Sequence, residues 1–261
     1  MIRSFCRRFV LAFQFLTRIP IRAQLRIGEG DFSGCMVFFP IVGAVIGGTM
    51  ALVFWGIRAL LPDSYYVSAL FPIIAGVMIT GGLHLDGLAD TCDGVFSGRP
   101  KERMLEIMKD SRSGAFGVMA IVFAVLGKVL FIGEISAACS MDIEKMILLV
   151  VSMPVLGRLG VVTAAALGKS ARSDGLGKLF LDDVGVGHWL IAAALTAIAM
   201  FLFWGWIGFV YLACSVVVAC LVTWFCSKKL GGLTGDCLGA ANEFSEIIFL
   251  LVFDAVQRFF I

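Results

Sequence analysis

The chain has 261 residues, 60% of them hydrophobic and only 15% charged, with a formal net charge of +2. A soluble domain usually carries about 25% charged residues, so an ordinary soluble globular protein is excluded and a polytopic membrane protein is indicated. The near-neutral balance gives no ground to expect nucleic acid as a partner.

At the N-terminus, Phe5, Phe9, Ala12, Phe13 and Leu16 recur at helical spacing, with Arg3, Arg7, Gln14 and Arg18 opposite. This pattern predicts an amphipathic helix lying in the membrane interface. Gln14 interrupts the apolar run and no small-residue cleavage site follows, which argues against a signal peptide. Apolar runs near the ~20 residues that a crossing helix needs follow at 34–57, 66–83, 115–133, 145–167, 188–204, 206–226 and 245–261. The turn at Trp204-Gly205-Trp206 is the least defined boundary, so the expectation is about seven spans within a range of six to eight. Backbone polar groups in hydrocarbon must pair internally and no alternating-strand pattern is present, so the spans must be helices. The expected architecture is an all-α polytopic integral membrane protein with one membrane-embedded catalytic domain over 1–261.

The segments outside the spans are the N-terminal helix and the loops 84–114, 168–187 and 227–244. Most of the 21 lysines and arginines fall there, and the positive-inside rule makes that side cytoplasmic. Polar machinery gathered on one face suits an enzyme fed from the cytoplasm better than a carrier, which exposes its site to both sides. The eight cysteines show no C-x-x-C spacing and read as small buried hydrophobes.

The first block that carries chemistry is GGLHLDGLADTCDG, 81–94. Asp86, Asp90 and Asp93 follow an i, i+4, i+7 pattern and share one helix face. Like charges so placed beside lipid are costly unless a cation sits among them, and oxygen-only ligands suit Mg²⁺ or Mn²⁺ rather than zinc. The simpler reading is a solvated acidic cap. The second block, SGRPKERMLEIMKDSRSGAFG at 97–117, starts a helix at Pro100 and delivers Asp110 as a candidate fourth carboxylate. Arg99, Lys109 and Arg112 are candidates for phosphate contacts, because guanidinium matches phosphate oxygens bidentately; ordinary positive-inside anchoring competes. The third block, KKLGGLTGDCLGAANEFSE at 228–246, places Thr234, Asp236, Asn242 and Glu243 in and beyond a glycine-rich turn able to present amides to phosphate. The loop ARSDGLGKLF at 171–180 carries a milder version of the same mix. Arg158 lies ~14 Å from the end of its span, counting 1.5 Å per residue, and implies an anion in a polar cavity or an ion pair. Lys128 reads as snorkelling, Asp254 and Arg258 as an i, i+4 pair, and His84 as a local hydrogen bonder.

The first and third blocks together, with EIMKDSRSGAFG and the FFPIVGAVIG span, resemble cobalamin synthase, the adenosylcobinamide-GDP ribazoletransferase family, over nearly the whole chain. The resemblance implies a multi-pass enzyme of the bacterial cell (inner) membrane, acting late in cobalamin biosynthesis. It would join adenosylcobinamide-GDP to α-ribazole or its 5′-phosphate, release GMP and require Mg²⁺. It carries metal-binding or catalytic roles onto Asp86, Asp90, Asp93 and Asp110, and less firmly onto Asp236 and Glu243. Membrane lipids are expected partners and a homo-oligomer is left open.

That reaction fits the residues. As the ribazole 5′-oxygen attacks phosphorus, charge builds on oxygens at which divalent ions and cationic side chains can be aimed; a two-ion site would set the ions ~4 Å apart. One of the aspartates, or Glu243, is the candidate base. Two other readings stand beside it. Asp90-x2-Asp93-Gly94 echoes the opening of the CDP-alcohol phosphotransferase signature, which allows a lipid-headgroup phosphotransferase. A cation carrier predicts acidic residues deep in several spans, whereas these lie at one face.

Overall fold

The structure is a computed structural model and describes residues 2–138, 142–173 and 175–260. Its described residues form helices joined by short loops, with one isolated bridge between Ser170 and Leu233. The first is α1 (Ile2–Leu16), followed by the short α2 (Asp31–Cys35), a 3₁₀ turn and α3 (Phe39–Leu60). Next come α4 (Tyr65–Thr80), α5 (Leu83–Val95), α6 (Lys101–Ile107), α7 (Ala115–Ala138) and α8 (Ile143–Leu167). The chain closes with α9 (Leu176–Leu181), α10 (Val186–Trp204), α11 (Gly208–Leu230) and α12 (Gly235–Phe260).

Four segments are long and apolar enough to cross a membrane: Asp31–Leu60, Ala115–Ala138, Ile143–Leu167 and Val186–Leu230; a fifth is added if α4 and α5 count as one broken span. The protein is thus an all-α membrane protein, and every predicted span has its helix, but length and apolarity alone do not reach seven. One reason lies in Val186–Leu230, whose 45 residues run as one segment yet double back at Gly205–Ile207. Phe201 and Phe209 have ring centroids 6.1 Å apart, where eight residues of straight helix would separate them by ~12 Å. The other is α12, whose first half carries Asp236, Glu243 and Glu246, more charges than an apolar span holds, while it packs into the protein.

Helix α8 is the hub, packed against α3, α10, α11 and α12. Its span is 83% buried, against 28% for α7 and for Val186–Leu230, so the latter two present their apolar sides outward. Leu126 and Leu130 of α7, with Leu202, Trp206, Leu221 and Trp224 of the hairpin, are exposed, as lipid-facing side chains must be. Polar threads tie the hairpin to the hub: Trp189 donates to Thr163 at 3.0 Å, Trp204 to Ser152 at 2.8 Å and Ser215 to the Leu156 carbonyl at 2.8 Å. A buried unpaired donor is expensive in hydrocarbon, so these contacts fix the register of the helices. The seven cysteines among the described residues are free thiols.

Two local features position the site. Gly81 and Gly82 both adopt left-handed φ, at 66° and 72°, a conformation that costs a side-chain-bearing residue dearly. They end α4 and turn α5 by 88°, so Asp86, Asp90 and Asp93 ride on a helix, as their spacing predicts. Helix α1 also differs from expectation. Its apolar face is only partly free: Leu11, Ala12, Phe13 and Leu16 are buried in the core, while Phe5 is exposed. The cause is Asp31, fully buried at the start of α2, which receives Arg7 Nη2 at 3.0 Å, Arg8 Nε at 3.2 Å and the Gly28 amide at 2.8 Å. Two arginines drawn to one buried carboxylate pin α1 to the body of the protein.

Candidate functional site

Helices α5 and α12 meet backbone to backbone. A Cβ on Gly87 would stand 2.9 Å from the Asp236 carbonyl oxygen, and one on Gly239 would stand 2.9 Å from that of His84. Only glycine allows this approach, and it sets the aspartates of the first block beside Asp236 of the third. Asp90, half-buried on α5, faces Asp236, Asp86 and Asp93, with Arg172 as the opposing cation. Burial raises the Asp236 carboxyl, against the pull of Arg172 and the hydroxyl of Thr234, which donates to it at 3.1 Å. Arg172 arrives because its loop is stitched to the glycine-rich turn: the Ala171 amide donates to the Leu233 carbonyl and the Leu233 amide to that of Lys169, both at 2.7 Å. Arg172 then lies 3.6 Å from Asp236.

Asp86 and Asp236 open onto a cavity of about 300 Å³. Its far wall is apolar and includes Phe15 and Leu16 of α1, Phe39 of α3 and Phe180 of α9. The cavity thus has an acidic mouth and an aromatic back, and α1 and α9 close it over.

The remaining predicted site residues have other partners. The Asp93 carboxylate is buried and accepts the amides of Gly114 at 2.7 Å and Gly117 at 2.8 Å. It thereby caps the N-terminus of α7, whose first amides have no partner within the helix. Asp110 is exposed and held by Arg112 through both its guanidinium and its amide, at 2.8 to 3.1 Å, which lowers its carboxyl to about 2. Arg99 and Lys109 lie exposed at the two ends of α6. Thr234 accepts the Cys237 amide at 3.4 Å and so caps α12.

Arg158, Asn242 and Glu243 belong to a second, buried assembly. Lys128 of α7 is bonded to Glu243 at 2.7 Å and to Glu246, while Arg158 of α8 meets Glu246 at 2.6 Å. Asn242 donates to Glu243 and Glu246 at 3.1 and 3.0 Å, and Arg158 Nη2 lies 3.4 Å from His84 Nδ1. The structure therefore gives Arg158 the ion pair rather than a free anion. It also corrects the reading of Lys128: the side chain is only 7% exposed and turns inward instead of snorkelling. The Asp254–Arg258 pair forms as expected, at 2.9 Å, with Glu134 added at 3.1 Å. His84 lines the 300 Å³ cavity and also a smaller one of about 40 Å³ bounded by Lys128, Arg158, Glu243 and Glu246.

Sequence reasoning passed over Arg172, His84 as a cavity wall, and the aromatic cluster. Only the basic and glycine content of 171–180 hinted at the first.

The fit of a divalent cation can be judged from these groups. Among the described residues no three His, Cys, Asp or Glu side chains are gathered closely enough to hold an ion on their own. Yet Asp86, Asp90 and Asp236 repel one another with only Arg172 opposing. Mg²⁺ is usually bound by one or two carboxylates, with waters and substrate phosphates completing its shell, rather than by an all-protein cage. The donor chemistry fits such an ion.

No solved structure matches the chain. Among curated proteins, it is 38% identical to the adenosylcobinamide-GDP ribazoletransferase of Clostridium acetobutylicum, over 98% of this chain and 99% of the relative. The proteins of the same name from Thermoanaerobacter pseudethanolicus and Clostridium tetani are 38% and 37% identical, covering 96% and 95% of this chain and 98% and 96% of their own. The family described as cobalamin-5-phosphate synthase matches residues 8–254. That match takes in α5, the acidic cavity mouth and the buried ion network alike, and the chain belongs to the cobalamin-5-phosphate synthase family.

Proposed function

We propose that the chain is an adenosylcobinamide-GDP ribazoletransferase, joining adenosylcobinamide-GDP to α-ribazole or its 5′-phosphate and releasing GMP. Besides the family match, the observation that carries this reading is the convergence of Asp86, Asp90 and Asp236 with Arg172, where Asp86 and Asp236 line a cavity of about 300 Å³.

In this reading Asp86 and Asp90, one turn apart on α5, hold Mg²⁺, with Mn²⁺ as a substitute. When bound, the ion would neutralise charge on the phosphate oxygens of the donor. Arg172 binds a non-bridging oxygen of the donor diphosphate, its planar guanidinium matching phosphate geometry. Asp236 takes the proton of the acceptor 5′-hydroxyl as the new O–P bond forms and the bond to GMP breaks, so that GMP leaves with the electron pair. The raised carboxyl of Asp236 suits a base, which works best when its pKa approaches the working pH. Arg112 and Lys109, on the exposed segment that ends at the Asp93-anchored glycines, would meet the outer phosphate or nucleotide in this reading. Asp93 and Asp110 serve the architecture of that segment. Glu243, tied to Lys128 within the buried network, is set aside as the base.

The enzyme would sit in the bacterial inner membrane with its N-terminus and acidic mouth facing the cytoplasm, an orientation supported by the distribution of basic residues. Incubating the purified protein with Mg²⁺, adenosylcobinamide-GDP and α-ribazole should release GMP. Release of CMP from a CDP-alcohol, with no reaction of the corrinoid, would instead establish a lipid-headgroup enzyme. A cysteine placed at Ser97 should be labelled from the cytoplasmic side; periplasmic labelling would overturn the orientation.

A further inference from the structure

The acidic mouth accounts for phosphates and a proton, and leaves the aromatic back of the cavity without a role. Phe180 is the centre of that wall. Its ring lies 4.5 Å from Phe15, 5.2 Å from Phe32 and 6.2 Å from Phe39, and the side chain is only 2% exposed. Phe15 and Phe39 are themselves stacked, with an interplanar angle of 14°. These rings come from α1, α2, α3 and α9, four separate parts of the chain. With Leu16, Met36 and Val161, the rings of Phe15, Phe39 and Phe180 bound a space whose polar side chains are His84, Asp86 and Asp236, while Phe32 backs Phe180 from behind.

From this arrangement we infer that the cavity is the acceptor subsite, and that Phe15, Phe39 and Phe180 hold the benzimidazole ring of α-ribazole while its ribose points to Asp86 and Asp236. The inference rests on the reaction proposed above. Three physical arguments select this occupant. Size comes first: about 300 Å³ lies at the low end of the roughly 300–1,000 Å³ of small-molecule pockets, enough for a bicyclic ring with its sugar and far too little for a corrin macrocycle. Polarity comes second. Guanine and the adenine of the adenosyl group, the other planar bicycles in the reaction, present donors and acceptors on several edges, and burying them against phenylalanine, leucine and methionine would leave them unpaired. A dimethylated benzimidazole carries no ring N–H once glycosylated, and its methyl groups are at home on an apolar wall. Register comes third: a base stacked at the back delivers its 5′-hydroxyl to the edge where Asp236 waits. Phe180 is accordingly a specificity-determining residue, and the N-terminal helix supplies part of the substrate wall.

The test uses the full-length protein in detergent. Three variants are compared with wild type: Phe180→Leu, which keeps bulk and loses the π face; Phe180→Ala; and Val161→Phe, which fills the cavity from α8. KM for α-ribazole and for adenosylcobinamide-GDP is measured separately, and α-ribazole binding without donor is followed by calorimetry. Loss of one base–aromatic stack should raise the α-ribazole KM in Phe180→Leu by about ten-fold or more. The donor KM should stay within about two-fold, by the same arithmetic. Val161→Phe should abolish α-ribazole binding while still binding the donor. A rise in donor KM with that of α-ribazole unchanged would overturn the inference, as would unaltered values for both, the result expected if an acyl chain fills the cavity. The two proposals fail differently. Wild type that turns over, with variants of unchanged α-ribazole affinity, sinks the subsite alone. Wild type that binds α-ribazole through Phe180 but releases no GMP sinks the reaction and leaves the subsite standing.

Discussion

Replacing Lys128 with methionine tests whether the buried ion network holds the helices together. Lys128 and Arg158 balance Glu243 and Glu246, and all four side chains are at most 7% exposed. Lys128→Met keeps the length of the side chain and removes its charge. Glu246 retains Arg158 at 2.6 Å, whereas Glu243 is left with the amide of Asn242 at 3.1 Å. An uncompensated buried carboxylate costs about 3–5 kcal/mol. For a chain of this size that should lower the thermal midpoint of the detergent-solubilised protein by on the order of 10 °C. The double substitution Lys128→Met with Glu243→Gln removes both charges and keeps the amide bond, so it should regain most of that loss, leaving a deficit of about 1 kcal/mol. Thermal unfolding followed by near-UV circular dichroism or nanoscale fluorimetry reads all three midpoints. A single variant as stable as wild type would refute the reasoning, as would a double variant no better than the single.

Asp86→Asn and Asp90→Asn should abolish turnover while leaving expression and thermal midpoint near wild type; near-normal rates would remove both from the proposed metal set. Asp93→Asn should instead lower stability by about 1–2 kcal/mol, the scale of a lost charged helix cap, with the midpoint as readout. Chelation should abolish turnover and readdition of Mg²⁺ restore it. Mg²⁺ should also raise the midpoint of wild type and not that of Asp86→Asn, since an ion bound only to the folded state stabilises it. Asp31→Ala should release α1, so that trypsin cuts after Arg7 or Arg8 on the order of ten-fold faster than in wild type, in line with local opening free energies; equal cleavage rates would mean that other contacts hold the helix.

Much of this architecture was legible because it is local. Helical spacing announced α1, apolar runs announced the spans, and the i, i+4 offset put Asp86 and Asp90 on one face of α5. The pairing of distant charges was not. Lys128 and Glu243 are 115 residues apart, and nothing near Lys128 distinguishes a side chain that snorkels from one with a carboxylate waiting on another helix. Asp93 shows the same limit at shorter range: its place on the acidic face was readable, but its engagement by the amides of Gly114 and Gly117 depends on how α7 returns to α5. The destination of the apolar stripe of α1 was equally hidden, because lipid and protein both reward burial and the choice rests on distant partners such as Asp31 and Phe180. Arg172 reaches the site through a bridge between two loops that leaves no periodic trace.

The ion network also constrains how the polypeptide is born. Helices α7 and α8 emerge from the ribosome with Lys128 and Arg158, yet both counter-charges reside on α12, the final helix. Each unmatched cation at mid-bilayer is penalised by about 2.5–3.5 kcal/mol during insertion. The half-made protein must therefore shelter them, by water, by displacement toward the headgroups or by an insertase, until α12 has been made. A nascent chain halted before residue 235 would carry both cations unpaired, and the arrival of α12 would lock the bundle.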